Sequence, residues 1–151
     1  MAVDTFLRAI PDLGLEVEVR EMSDTTHTAV EAAAAVGAPV EAIVKSLLFL
    51  ADGEPVLVLA SGPNRVDTAL LEAVLGSSVA MADAKTVKRV TGYSIGGVPP
   101  VGHPERLRTI MDETLLTLDE VWAAAGSAKA VFPIAPARLA ELSGATIARI
   151  A

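Results

Sequence analysis

Two segments of this chain hold the residue types best suited to chemistry. One is a lysine set in an apolar run, Ile43-Val44-Lys45-Ser46-Leu47-Leu48-Phe49, and the other is Gly96-Gly97-Val98-Pro99-Pro100-Val101-Gly102-His103. An ammonium held among apolar neighbours is partly stripped of water and grips a phosphate, a carboxylate or a polarised carbonyl. The plainer reading of Lys45 is an edge-strand lysine that snorkels to water or discourages aggregation. In the second segment glycine allows close approach and unusual backbone angles, while proline fixes φ and removes an N–H. A stiff loop follows, whose backbone N–H groups can hold an oxyanion or amide and whose prolines limit pocket size. The plain alternative is a rigid connection. His103 is either an acid–base group or the hydrogen bond that closes the turn, and the second reading is preferred.

Other chemistries find less support. The loop is neither GxxxxGK[ST] nor GxGxxG, and no GxSxG elbow occurs. The chain has no cysteine, which excludes disulfides, thiolate metal sites and cysteine nucleophiles, and its two histidines are too few for a histidine-rich metal site. No metal and no cofactor is expected. Thr25, Thr26, His27 and Thr28 can line a pocket, although helix capping is the preferred reading. Ser61 and Asn64 read as turn formers. Asp112-Glu113 looks like a pair of acids, but adjacent strand residues face opposite ways, so one contacts a loop and no dyad forms. Lys85, Lys88 and Arg89 recur at helical spacing, ordinarily the sign of a solvated face.

The elements that must position these groups follow from periodicity. Ala2 to Ile10 reads as a helix ended by Pro11, and the alternation from Leu15 to Met22 reads as a half-buried strand. Asp24 to Thr28 supplies caps for an alanine-rich helix ending near Val36, with Gly37 beyond it. Ile43–Leu50 and Pro55–Ala60 form a hairpin about Asp52-Gly53. Helices are expected over Val66–Leu75, Asp83–Val90, Leu118–Ala125 and Ala135–Leu142. Strands are expected over Val79–Met81, Thr109–Asp112, Ala130–Pro133 and Thr146–Ile150. A hairpin combined with strand–helix alternation predicts an α/β domain with a mixed sheet, substantially antiparallel.

At 151 residues and 52% hydrophobic composition, one domain over 1–151 is expected, without disorder. No apolar run reaches the roughly 20 residues that span a bilayer, and the first residues lack the pattern of a signal peptide. A cytoplasmic protein is the default. The net charge of −7 argues against broad binding to a nucleic-acid backbone, yet leaves room for contact with a short single-stranded end.

With these residues in view, the chain resembles the YbaK/EbsC family of aminoacyl-tRNA editing domains, related to the domain inserted in bacterial prolyl-tRNA synthetases. The resemblance runs almost end to end. It rests on Thr28-Ala29 with Ala32-Ala33 and Gly37, on the lysine strand, and on Ser61-Gly62 with Asn64-Arg65-Val66. It continues through Thr91-Gly92-Tyr93 with Ile95-Gly96-Gly97-Val98-Pro99-Pro100 and Gly102, then Asp112 with Leu115, and Ala125-Gly126. It implies a barrel-like, largely antiparallel mixed sheet flanked by helices, and hydrolysis of the ester joining a wrong, small amino acid to a tRNA 3′ end. Lys45 matches the family's functional lysine. Gly96, Gly97, Val98, Pro99, Pro100 and Gly102 match the family's glycine–proline substrate loop, and His103, Ser46 and Thr28 are added to them as substrate-binding candidates. Lys85, Lys88 and Arg89 are candidates for the acceptor stem. The implied partners are the aminoacyl-tRNA 3′ end and a synthetase, with neither membrane nor DNA. Cys-tRNA deacylases of the family carry cysteine-serine-proline where this chain has Val98-Pro99-Pro100, so alanine, serine, threonine or another small residue stands equal to cysteine. A chain without an attached synthetase implies editing in trans. The alternative is a non-catalytic module that binds an amino acid or a tRNA end.

Overall fold

The computed structural model of the protein describes residues 2–23 and 28–151. Capping residues set the helices. Thr28 caps α2 (Ala29–Val36), Asp67 caps α3 (Thr68–Leu75) and Asp83 caps α4 (Ala84–Thr91), each accepting a backbone N–H of the first turn. α5 (Pro136–Ser143) opens on a proline, whose missing N–H costs nothing there. α1 (Ala2–Ala9) ends before Pro11, and the chain continues as a 3-10 turn over Ile10–Leu13. Of the capping candidates, Asp24, Thr25, Thr26 and His27 lie outside the described residues.

The strands fall into two sheets among the described residues. β2 (Val44–Ala51), β3 (Glu54–Ser61), β4 (Val79–Met81), β5 (Arg108–Asp112) and β8 (Thr146–Ala148) are ordered β4-β2-β3-β5-β8. β2 pairs antiparallel with β3 and β4, whereas β3–β5 and β5–β8 are parallel. The turn Asp52-Gly53 joins β2 to β3 with both φ angles positive, the geometry of a type I′ hairpin. The second sheet, β1 (Arg20–Glu21), β6 (Val121–Ala124) and β7 (Ala130–Ile134), is antiparallel in the order β1-β7-β6. One isolated bridge, Ile43 to Trp122, connects the two sheets. The sheet is therefore mixed as expected, but the barrel does not close.

Two elements differ from the sequence reading. Leu118–Ala125 is not a helix: a 3-10 turn over Glu113–Thr117 leads into strand β6. Val121, Ala123 and Ala125 pack into the core between the sheets while Trp122 faces α2, so the segment has a period of two that its alanines conceal. Pairing along β7, from Val121–Ile134 to Ala124–Val131, overrides the helical propensity of alanine. The Leu15–Met22 segment keeps its alternation, with Leu15 buried and Glu16 and Glu18 exposed, but only Arg20 and Glu21 pair in a ladder.

The main core lies between the sheets. Leu48, Leu57, Leu59 and Met111 of the larger sheet meet Val121, Ala123 and Phe132 of the smaller one, with Phe6 stacked on Phe132 at 5.1 Å. On the far face of the larger sheet Phe49, Val58 and Ile110 pack against Leu71 and Leu75 of α3. A third cluster seats Ala32 and Ala33 of α2 on Trp122 and Val131. Among the described residues no helix is long and apolar enough to cross a membrane.

Candidate active site

The alternation of β2 puts Val44, Leu48 and Leu50 into the inter-sheet core and Leu47 and Phe49 onto the opposite one. Lys45 lies at the start of that strand, opposite Ala60 of β3, and is half-buried. Its Nζ donates a hydrogen bond of 2.5 Å to the carbonyl of Asn64, in the turn that follows β3. Burial pushes the ammonium pKa below its ordinary value, and the charge of Asp112 opposes that shift. An ammonium has three N–H donors, so two remain after the bond to Asn64.

A cavity of about 450 Å³ opens beside Lys45, between the two sheets and α2. Lys45 and Ser46 line it from β2, and Trp122, Ala124 and Val131 from the smaller sheet. Ala29 and Ala32 of α2 and Ala128 complete a wall of short side chains. Thr28 also lines it, but its hydroxyl is occupied: it accepts from the Glu31 N–H and donates to Glu31 Oε1, both at 3.1 Å. The Ser46 Oγ is buried without a hydrogen-bond partner. Among the described residues no histidine or carboxylate lines this cavity, and no group of three or more metal-ligating side chains comes together.

The glycine–proline segment divides among three cavities, Gly97 lining one of about 620 Å³ together with Gly126 and Ser127. Gly96 and Val98 face the lysine cavity. Gly97 is buried against the turn at Gly126-Ser127, where a Cβ would fall 2.9 Å from Ser127 Cα, so only glycine allows that approach. Pro99 is buried and lines none of the three, whereas Pro100, Gly102 and His103 line the cavity of about 310 Å³ on the other side, with Arg106 and Asp12. His103 Nε2 donates to the Pro99 carbonyl at 2.7 Å and so closes the turn. Burial lowers the His103 pKa, opposed by that hydrogen bond, and keeps the ring neutral at pH 7. The structure thus joins Lys45, Ser46, Thr28, Gly96 and Val98 in one cavity and sets Pro100, Gly102 and His103 behind it. Lys85, Lys88 and Arg89 stand on the exposed face of α4, the helix that feeds this loop, and line none of these cavities. Lys88 Nζ donates to the Gly92 carbonyl at 3.2 Å.

Ser61 and Asn64, turn formers by residue type, gather with Asp112 behind Lys45. The Asp112 carboxylate, 1% exposed, accepts from the Ser61 N–H at 3.0 Å and from Asn64 Nδ2 at 2.9 Å on Oδ2. Its Oδ1 accepts from the Thr114 N–H at 3.0 Å. Burial alone would raise this carboxyl, but the hydrogen bonds from Ser61, Asn64 and Thr114 outweigh it and hold the pKa below the ordinary value. The expectation that one member of Asp112-Glu113 contacts a loop without forming a dyad describes this arrangement, since Glu113 is exposed. Ala29 and Ala32 belong to the residues that carry the family resemblance, whereas Ala124, Ala128 and Trp122 had no distinguishing signal in the sequence.

This site is a cation at the edge of a small cavity with a rigid backbone wall, and its lining shows no nucleophile paired with a base. Comparison with known proteins gives the family of the chain. Residues 23–142 match the model of the aminoacyl-tRNA editing domain. The chain superposes on the crystal structure of a protein proposed to be a trans-editing enzyme for prolyl tRNA synthetase, with a TM-score of 0.95 and 41% identity, covering 99% of this chain and 96% of that one. It is 30% identical over 129 residues to the uncharacterized protein YwhH of Bacillus subtilis, spanning 85% of this chain and 82% of that protein. It is 36% identical over 97 residues to a proline–tRNA ligase of Nitratidesulfovibrio vulgaris, covering 64% of this chain but 17% of the ligase. The chain belongs to the aminoacyl-tRNA editing domain family.

Proposed function

We propose that this chain is a trans-acting deacylase that hydrolyses the ester between a small, wrongly attached amino acid and the 3′ end of a tRNA. The observation that carries this reading is Lys45: a partly desolvated ammonium with two free donors beside an alanine-walled cavity, in a chain of the editing family. An aminoacyl ester is already activated, so placing it beside a water and stabilising the oxyanion suffices without a protein nucleophile. Water attacks the ester carbonyl, Lys45 and backbone N–H groups of the loop stabilise the tetrahedral oxyanion, and the C–O bond to the terminal ribose breaks. The ribose hydroxyl recovers a proton as the amino acid leaves as its carboxylate. The cavity holds about 450 Å³, and a size-limited hydrolytic pocket is the logic of a second sieve for an amino acid that a synthetase pocket cannot reject.

The relatives direct the choice of tRNA. Prolyl-tRNA synthetases and the proposed trans-editing enzyme make mischarged tRNA for proline the first substrate to try. Only the acceptor end need enter, which fits a chain of net charge −7. Lys85, Lys88 and Arg89 on α4 are the basic residues we assign to the acceptor stem, and from a tRNA substrate we infer a cytoplasmic protein. The test is multiple-turnover deacylation of tRNAs carrying Ala, Ser, Thr, Cys or Pro, by wild type and Lys45→Ala. Release from at least one mischarged tRNA, lost in a folded variant, is expected. No turnover on any of them, with tRNA binding retained, would overturn the enzyme reading for this panel.

A further inference from the structure

The structure assigns Asp112 and Asn64 as positioning residues for Lys45: the buried carboxylate fixes the turn whose Asn64 carbonyl receives the ammonium. The turn is held from every side. Ser61 Oγ donates to the Glu41 carbonyl at 2.6 Å, and the Asn64 N–H closes onto the Ser61 carbonyl at 2.9 Å. Gly62 runs so close to the Val40 carbonyl that a Cβ would sit 2.3 Å from it. Asp112 then takes the Ser61 N–H and the Asn64 side-chain amide on one oxygen and the Thr114 N–H on the other. Asn64 Nδ2 also donates to Thr114 Oγ1 at 3.1 Å, which uses both of its protons and leaves the carboxamide no rotational freedom.

Buried polar groups persist when fully satisfied, and a network of this kind fixes geometry better than packing alone. Here the rigidity ends on one acceptor, the main-chain carbonyl under Lys45. A four-carbon flexible stem would otherwise let the ammonium wander to water. The network thus sets both where the ammonium sits and which of its donors are left for a ligand oxygen. Asp112 also supplies the negative charge that opposes desolvation of Lys45. Glu41, Arg65 and Glu113, the other charged groups on the segments around the turn, are exposed.

The positioning role matters to catalysis only on the deacylase reading above, but its primary test does not need that reading. Lysine labelled with ¹³C at Cε reports the Lys45 titration by NMR without any tRNA. In Asp112→Asn the midpoint is expected to move to lower pH, and in Asn64→Ala, which keeps the carbonyl but frees the turn, the Lys45 signal is expected to broaden or shift. Deacylation should lose kcat at least tenfold in Asp112→Asn with KM little changed, and its alkaline limb should move down with the NMR midpoint. If Asp112→Asn does not fold, the Asn64→Ala spectrum decides. Folded variants in which the Lys45 signal titrates as in wild type would overturn the assignment. A wild type without turnover but with a coupled Lys45 titration would overturn the deacylase reading and leave this one standing.

Discussion

The alanine wall makes Ala124→Leu the sharpest probe of how this cavity selects its occupant. Ala124 lies on β6 and its side chain lines the cavity of about 450 Å³, toward the lower end of the roughly 300–1,000 Å³ usual for small-molecule sites. Leucine adds three carbon atoms to that wall. An alanyl group leaves space to spare, so its kcat/KM should fall by no more than about threefold. A bulkier aminoacyl group fills the same space, and forcing extra carbons against it costs about 1–3 kcal/mol. At about 1.4 kcal/mol per factor of ten, that is a loss of roughly 5- to 150-fold. The measurement is single-turnover release of labelled amino acid from tRNAs carrying alanine and the bulkiest residue that wild type releases, with thermal unfolding as the control for folding. Equal loss on both substrates in a folded variant would refute the sieve and leave the alanines as packing only.

Three further outcomes follow from the geometry. Gly97→Ala should destabilise by about 1–3 kcal/mol in urea unfolding and cut deacylation further than that loss explains, because the new Cβ meets Ser127 and Gly126 backbone rather than a movable side chain. His103→Gln should flatten the stability profile in acid: the folded pKa lies below the ordinary 6.5, so the unfolded chain binds more protons and wild-type stability is lost as pH falls from about 6.5 through the folded value. The same variant should keep deacylation near pH 7.5 within about threefold, since its ring lines the cavity behind the site. Lys85→Glu with Arg89→Glu should raise KM, leave kcat unchanged and reduce the salt slope of tRNA binding by about one for each phosphate no longer held. An unchanged KM would remove α4 from the tRNA surface.

Local signals made much of this fold legible in the sequence. Asp83 and Gly92 bracket α4, Thr28 and Gly37 bracket α2, and Asp52-Gly53 fixes the hairpin register that aims Lys45. Each acts within a few residues, so each is visible without the fold. β6 escaped because alanine carries no periodicity strong enough to separate a strand from a helix, and only pairing with β7 decides it. In the site, Lys45 and the glycine–proline segment announced themselves by unusual residue types. The link from Asn64 to Asp112 spans 48 residues of sequence and exists only because β3 and β5 are parallel neighbours. Nor could the sequence show that the glycine–proline segment has two sides, since burial of Pro99 and the hydrogen bond from His103 are products of the folded loop.

Among the described residues one isolated bridge, Ile43 to Trp122, joins the two sheets, and it has a mechanical meaning for selectivity. The walls of the lysine cavity belong to both sheets, Lys45 and Ser46 to one and Trp122, Ala124 and Val131 to the other. One backbone bridge at the seam leaves the spacing of those walls to the apolar filling between the sheets, where Phe132 stacks on Phe6. The width of the cavity is therefore a property of the whole interior, like the gap of a caliper set by its pivot. On the deacylase reading, trimming Phe132 or Phe6, neither of which lines the cavity, is expected to change which amino acids are released.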